Sequence, residues 1–120
     1  MCQLISIGNG KAVANIKHRH IVNISEQART CKNISRIMLL GSSLEERCTE
    51  KSDIDIAVFG KMKKGKYLDS KEFRKFQDQL FRFDLKQDYD ILYFCDEQSY
   101  DDAIMADINR GAEIYRRIEA

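Results

Sequence analysis

At 120 residues, 43% hydrophobic and 32% charged, the chain is the right size for one globular domain, residues 1–120, built around a single core. A net charge of +1 gives no broad field for DNA or RNA, and no apolar run approaches the roughly 20 residues that cross a bilayer. The cysteines Cys2, Cys31, Cys48 and Cys95 show no Cys-x-x-Cys spacing and no histidine grouping, which argues against zinc; with no signal peptide, reduced thiols and a cytoplasmic location are expected.

Residues 1–18 have little periodicity and read as an N-terminal arm, an extra strand or a disordered lead. A helix is expected over Arg19 to Cys31, with His18 and His20 on the surface at its start and neither in a catalytic role. Ile34 to Leu40 is a mostly apolar run that ends at Gly41-Ser42, so the turn is placed at the end of a buried strand. After ten further residues comes Asp53-Ile54-Asp55-Ile56-Ala57-Val58. Side chains alternate along a strand, so Asp53 and Asp55 share one face while Ile54, Ile56 and Val58 share the other. Two carboxylates about 7 Å apart along a strand repel unless a cation sits between them, and Mg²⁺ held by a few carboxylates plus substrate phosphates meets that need. Glycine lets backbone approach a phosphate closely, and the Ser42 hydroxyl is able to donate to a phosphate oxygen.

The basic run Lys61 to Lys66 follows this strand and reads as a solvated loop. Phe73, Phe76, Leu80 and Phe83 recur at helical spacing within an expected helix from Ser70 to Phe83, and are assigned to the core. Tyr89 to Phe94 is the third strand, with Asp90, Leu92 and Phe94 alternating with Tyr89, Ile91 and Tyr93. A helix from Ser99 to Asn109 opens on Ser99-x-x-Asp102, a weak capping box, and Gly111 ends it. Glu113 to Ile118 is short, helical or extended.

Gly41-Ser42, the loop, and Asp53-x-Asp55 followed by an acid before a later apolar strand resemble the nucleotidyltransferase superfamily that includes DNA polymerase β, above all its small stand-alone members. Ile108-Asn-Arg-Gly-Ala-Glu-Ile-Tyr115 resembles the tail of those small members, so the likeness runs from Ile34 to Tyr115. The resemblance implies an α/β fold: a small mixed sheet backed by helices, with the first two strands antiparallel across the acidic loop. It implies that Gly41 and Ser42 bind nucleotide phosphates, and that Asp53, Asp55 and Asp90 are catalytic and hold two Mg²⁺ ions. Asp88 shares the face of Asp90 and is the rival for the third acid. The substrate implied is ATP or another nucleoside triphosphate. The loop departs from the family, since Glu46 stands where a glycine is usual, and Glu45-Glu46 beside a triphosphate is electrostatically unfavourable unless it faces away.

The chain has no room for an acceptor domain, and small members are often paired with a small helical partner protein in toxin–antitoxin systems. The resemblance therefore implies transfer of AMP from ATP to a hydroxyl of such a partner. The alternative is a nucleotide- or partner-binding module without turnover that neutralises a toxin by contact. No membrane and no strong nucleic-acid footprint is expected.

Overall fold

The computed structural model describes residues 1–118. Strands β1 (Leu4–Gly8) and β2 (Lys11–Ala14) form an antiparallel hairpin, followed through a 3₁₀ turn at Asn15–Lys17 by helix α1 (His18–Arg29). Strand β3 (Ile34–Leu40) leads through a 3₁₀ turn at Gly41–Leu44 and a loop to β4 (Ile54–Gly60). Helices α2 (Lys64–Leu68) and α3 (Lys71–Phe83) carry the chain to β5 (Tyr89–Cys95), and α4 (Asp102–Asn109) to β6 (Ala112–Arg116).

The main sheet has the order β5-β4-β3-β6 and is mixed: β4 runs antiparallel to β3 and parallel to β5, while β6 closes the other edge antiparallel to β3. It is the small mixed sheet backed by helices that the sequence implies. The last segment resolves as a strand, and the non-periodic lead as the hairpin.

Alternation along the strands sorts the side chains into two layers. Ile37, Leu39, Ile54, Ile56, Val58 and Tyr93 point into the larger core, where they meet Ile21, Ile24 and Ala28 of α1 and Phe73, Phe76 and Leu80 of α3. Fully burying each such side chain contributes about 1.5–3 kcal/mol, enough to fix which face turns inward. Val13 and Ala14 of the hairpin are also fully buried, so the N-terminal segment is part of the packing. Helix α3 begins where the hydroxyl of Ser70 accepts from the backbone N–H of Phe73 at 3.1 Å.

On the opposite face Met38, Ala57, Phe59 and Phe94 pack with Ile108 of α4 in a smaller core. Strand period does not reveal that α4 covers part of the acid-bearing face. This helix starts later than Ser99, because the Asp101 carboxylate accepts from the N–H of Ala103 at 2.7 Å and caps it. The hydroxyl of Tyr100 accepts from the N–H of Cys95 at 2.8 Å. No helix among the described residues is long and apolar enough to cross a membrane.

Candidate active site

Three consecutive features of the sheet assemble the site. Asp55 is the partner of Leu40 across the β3–β4 ladder, which brings the turn that follows Leu40 against it. Gly41 there has φ of +69°, a left-handed conformation that L side chains rarely adopt. A methyl group on Gly41 would run into the Asp55 carboxylate. On the other side of β4, Asp55 is the register partner of Asp90 in the parallel ladder to β5. Register partners in a sheet project to the same side, so both carboxylates stand on the face away from the larger core. Asp53 lies two residues before Asp55, exposed at the mouth of β4.

The electrostatics follow from that crowding. Burial first, and then the charges of Asp90 and Asp53, push the Asp55 carboxyl above the usual carboxylate range. Like charges held side by side raise the cost of ionisation unless a cation intervenes. The donors are all hard carboxylate oxygens, as Mg²⁺ prefers, so the residue set fits such an ion. Among the described residues, however, no three His, Cys, Asp or Glu side chains stand close enough together to form a ready cation cage. Asp88 sits one step outside the ladder, where its carbonyl accepts from the N–H of Ile54 at 3.0 Å. The register neighbour of Asp55 is thus Asp90 and not Asp88.

A cleft of about 420 Å³ shares Gly41 with this site and is lined further by Leu44, Glu45, Leu92, Phe94, Ile104 and Ile108, while Asp53, Asp55 and Asp90 are not among its lining residues. Ser42 is half-buried in the same turn. Glu45 faces the cleft and is ion-paired with Arg47, so the loop arginine is spent on its neighbour. Glu46 is exposed.

The family model described as polymerase beta, nucleotidyltransferase matches residues 22–120. The chain belongs to this nucleotidyltransferase family. Among solved structures, one from Sulfolobus solfataricus, provisionally assigned as a nucleotidyltransferase, aligns over 92% of this chain and 94% of its own at 17% identity, with a TM-score of 0.42. No curated protein matches the chain closely enough to count as a relative.

In this nucleotidyltransferase, some residues around the acids have no counterpart in the sequence reading. Lys17, only 1% exposed, donates to the carbonyls of Glu50 (3.1 Å) and Ser52 (2.8 Å) and to Oε1 of Gln87 (2.5 Å). Gln87, 3% exposed, donates in turn to the carbonyls of Ser52 (3.0 Å) and Asp88 (2.7 Å). A lone lysine in a non-periodic stretch reads as solvated, and no local signal marks it otherwise. His20 is likewise buried, at 3% exposure, contrary to the surface position expected of it. Asp84 holds its Nε2 at 3.0 Å and Phe83 packs edge-on against its ring, two neighbours from far along the chain.

Proposed function

We propose that this nucleotidyltransferase moves AMP from ATP to a hydroxyl of a small helical partner protein in the cytoplasm, as the antitoxin half of a toxin–antitoxin pair. The observation that carries the catalytic part of this reading is the ladder that sets Asp55 between Gly41 and Asp90. The choice of ATP, the protein acceptor and the pairing with a toxin come from the likeness to small family members.

Gly41, having no side chain, leaves room for phosphate oxygens beside Asp55, and Ser42 donates its hydroxyl to one of them. Asp53 and Asp55 would hold one Mg²⁺, and Asp90 would help to hold a second. Such ions, when bound, would supply positive charge for the oxygens that enter and leave in the displacement. Asp90, exposed on the edge strand, takes the proton of the acceptor hydroxyl. A bond forms between the acceptor oxygen and the α-phosphorus as the bond to pyrophosphate breaks. The cleft lined by Gly41 and by Ile104 and Ile108 of α4 has the volume of a small-molecule site and seats the nucleoside beside Gly41.

One observation favours a second reading, a binding module without turnover. Glu45 faces the cleft and Arg47 is paired with it, which leaves the loop poor in free positive charge.

The test is Mg²⁺-dependent transfer of label from α-labelled ATP, beside GTP, CTP and UTP, onto the co-expressed neighbouring protein. Transfer that disappears in Asp53→Ala/Asp55→Ala supports the enzyme and names its nucleotide. A folded wild type that binds its neighbour and transfers nothing gives the second reading.

A further inference from the structure

We infer that Lys17, acting with Gln87, is a positioning residue for the acid site, holding the carbonyl of Ser52 and so setting where Asp53 stands against Asp55 and Asp90. The inference rests on the reading of Asp53 as a site carboxylate. Lys17 precedes the stretch that matches the family model, which begins at residue 22, so the family pattern does not include it.

The Ser52 carbonyl belongs to the planar peptide whose nitrogen is that of Asp53. Two donors grip that oxygen, Lys17 Nζ at 2.8 Å and Gln87 Nε2 at 3.0 Å. The same Gln87 amide grips the Asp88 carbonyl at 2.7 Å, two residues before Asp90, and that carbonyl also takes the N–H of Ile54 at 3.0 Å. One buried knot therefore fixes the entry of both acid-bearing strands. The N-terminal segment reaches the acidic loop a second time through the N–H of Cys2, which donates to the Glu46 carbonyl at 2.9 Å.

All three donors of the ammonium are used, and all three acceptors are neutral. Without the ammonium the carbonyls of Glu50 and Ser52 and the Oε1 of Gln87 would each lose a donor, so the cost of replacing Lys17 falls on the entry to the acid strand. An apolar residue of similar length would not hold Ser52 in place. Loss of a group that orients metal ligands typically weakens metal binding about 10–100-fold.

The experiment is a Mn²⁺ titration followed by electron paramagnetic resonance, with thermal melts alongside, on wild type, Asp53→Ala/Asp55→Ala, Lys17→Met and Gln87→Met. Wild type binds Mn²⁺ and the double variant does not; folded Lys17→Met binds about tenfold or more weakly, the range for loss of an orienting partner. If Lys17→Met does not fold, Gln87→Met carries the same expectation, because it releases both Ser52 and Asp88. A merely structural role would lower the melting temperature and leave the affinity of the folded fraction unchanged, which overturns the proposal. A wild type that binds no Mn²⁺ through Asp53 and Asp55 overturns the metal reading of the site itself, and the clamp with it.

Discussion

Replacing Gly41 by alanine separates a functional glycine from a mere turn. The left-handed backbone costs an alanine about 1–2 kcal/mol, and Gly10 supplies a control at nearly the same angle. Its φ is +72°, against +69° at Gly41, and an added methyl there meets nothing within 4 Å. Gly10→Ala should therefore lose only the backbone penalty. At Gly41 the methyl also meets Asp55, whose Cγ would stand 3.3 Å away, so the carboxylate must leave its rotamer at a further cost of about 0.5–1.5 kcal/mol. Urea denaturation with unchanged slope should place Gly41→Ala below Gly10→Ala by that amount. Adding Asp55→Ala should recover the difference, since residues in contact do not behave additively. Label transfer should fall about 100-fold, as expected when a reacting group is displaced by about 1 Å. Equal losses at Gly41 and Gly10, with no coupling to Asp55, would refute the reasoning and reduce Gly41 to a turn.

Asp55→Asn should abolish transfer yet stabilise the fold. Because Asp55 is held above its ordinary value of 3.8, its contribution is fully favourable only below that value and is lost as pH rises through the raised folded one. Above that raised value the carboxylate is penalised first by burial and then by Asp90 and Asp53, so urea denaturation should show a gain of about 0.2–1 kcal/mol that vanishes in acid; an equal gain at both pH values would contradict the assignment. Asp90→Asn should eliminate transfer while Asp88→Asn retains most of it, and the reverse ranking in the label assay would move the third acid to Asp88. Burial holds His20 below its ordinary 6.5, against the opposing pull of its hydrogen bond to Asp84. A histidine whose pKa is lowered by folding contributes stability that is present above that ordinary value and is lost as pH falls from it through the folded one. Melting temperature should thus drop on acidification in wild type and in His18→Gln, and the drop should shrink in His20→Gln; an unaltered slope in His20→Gln points to another group.

The acids were legible because strand alternation and a glycine-serine turn are local properties. Asp53 and Asp55 share a face whatever surrounds them, and the apolar run after Asp90 marks its strand. The choice of Asp90 over Asp88 as the neighbour of Asp55 depends on parallel register, which the structure supplies and local pattern does not. The same limit applies to β6, whose pairing with β3 is what makes its sequence extended. Lys17, Gln87 and His20 were illegible for another reason. Each is a polar residue whose burial is created by partners 33 to 70 residues away, and single-residue propensity assigns such side chains to solvent. The cover that α4 gives to part of the acid face was hidden too, since its apolar residues fit either side of a sheet.

The parallel pairing of β4 with β5 also bears on the order in which the chain acquires its charge pattern. Strands β3 and β4 are joined by residues 41–53 and pair antiparallel, whereas β5 reaches β4 only after α2 and α3 have been traversed. Contacts between segments distant in sequence close later and more slowly than local ones. On that basis Gly41 and Asp55 are expected to meet before the crossover docks, and the repulsion between Asp55 and Asp90 to arise with that docking. Divalent cations present during refolding would then accelerate that final docking and leave the earlier hairpin-like step untouched.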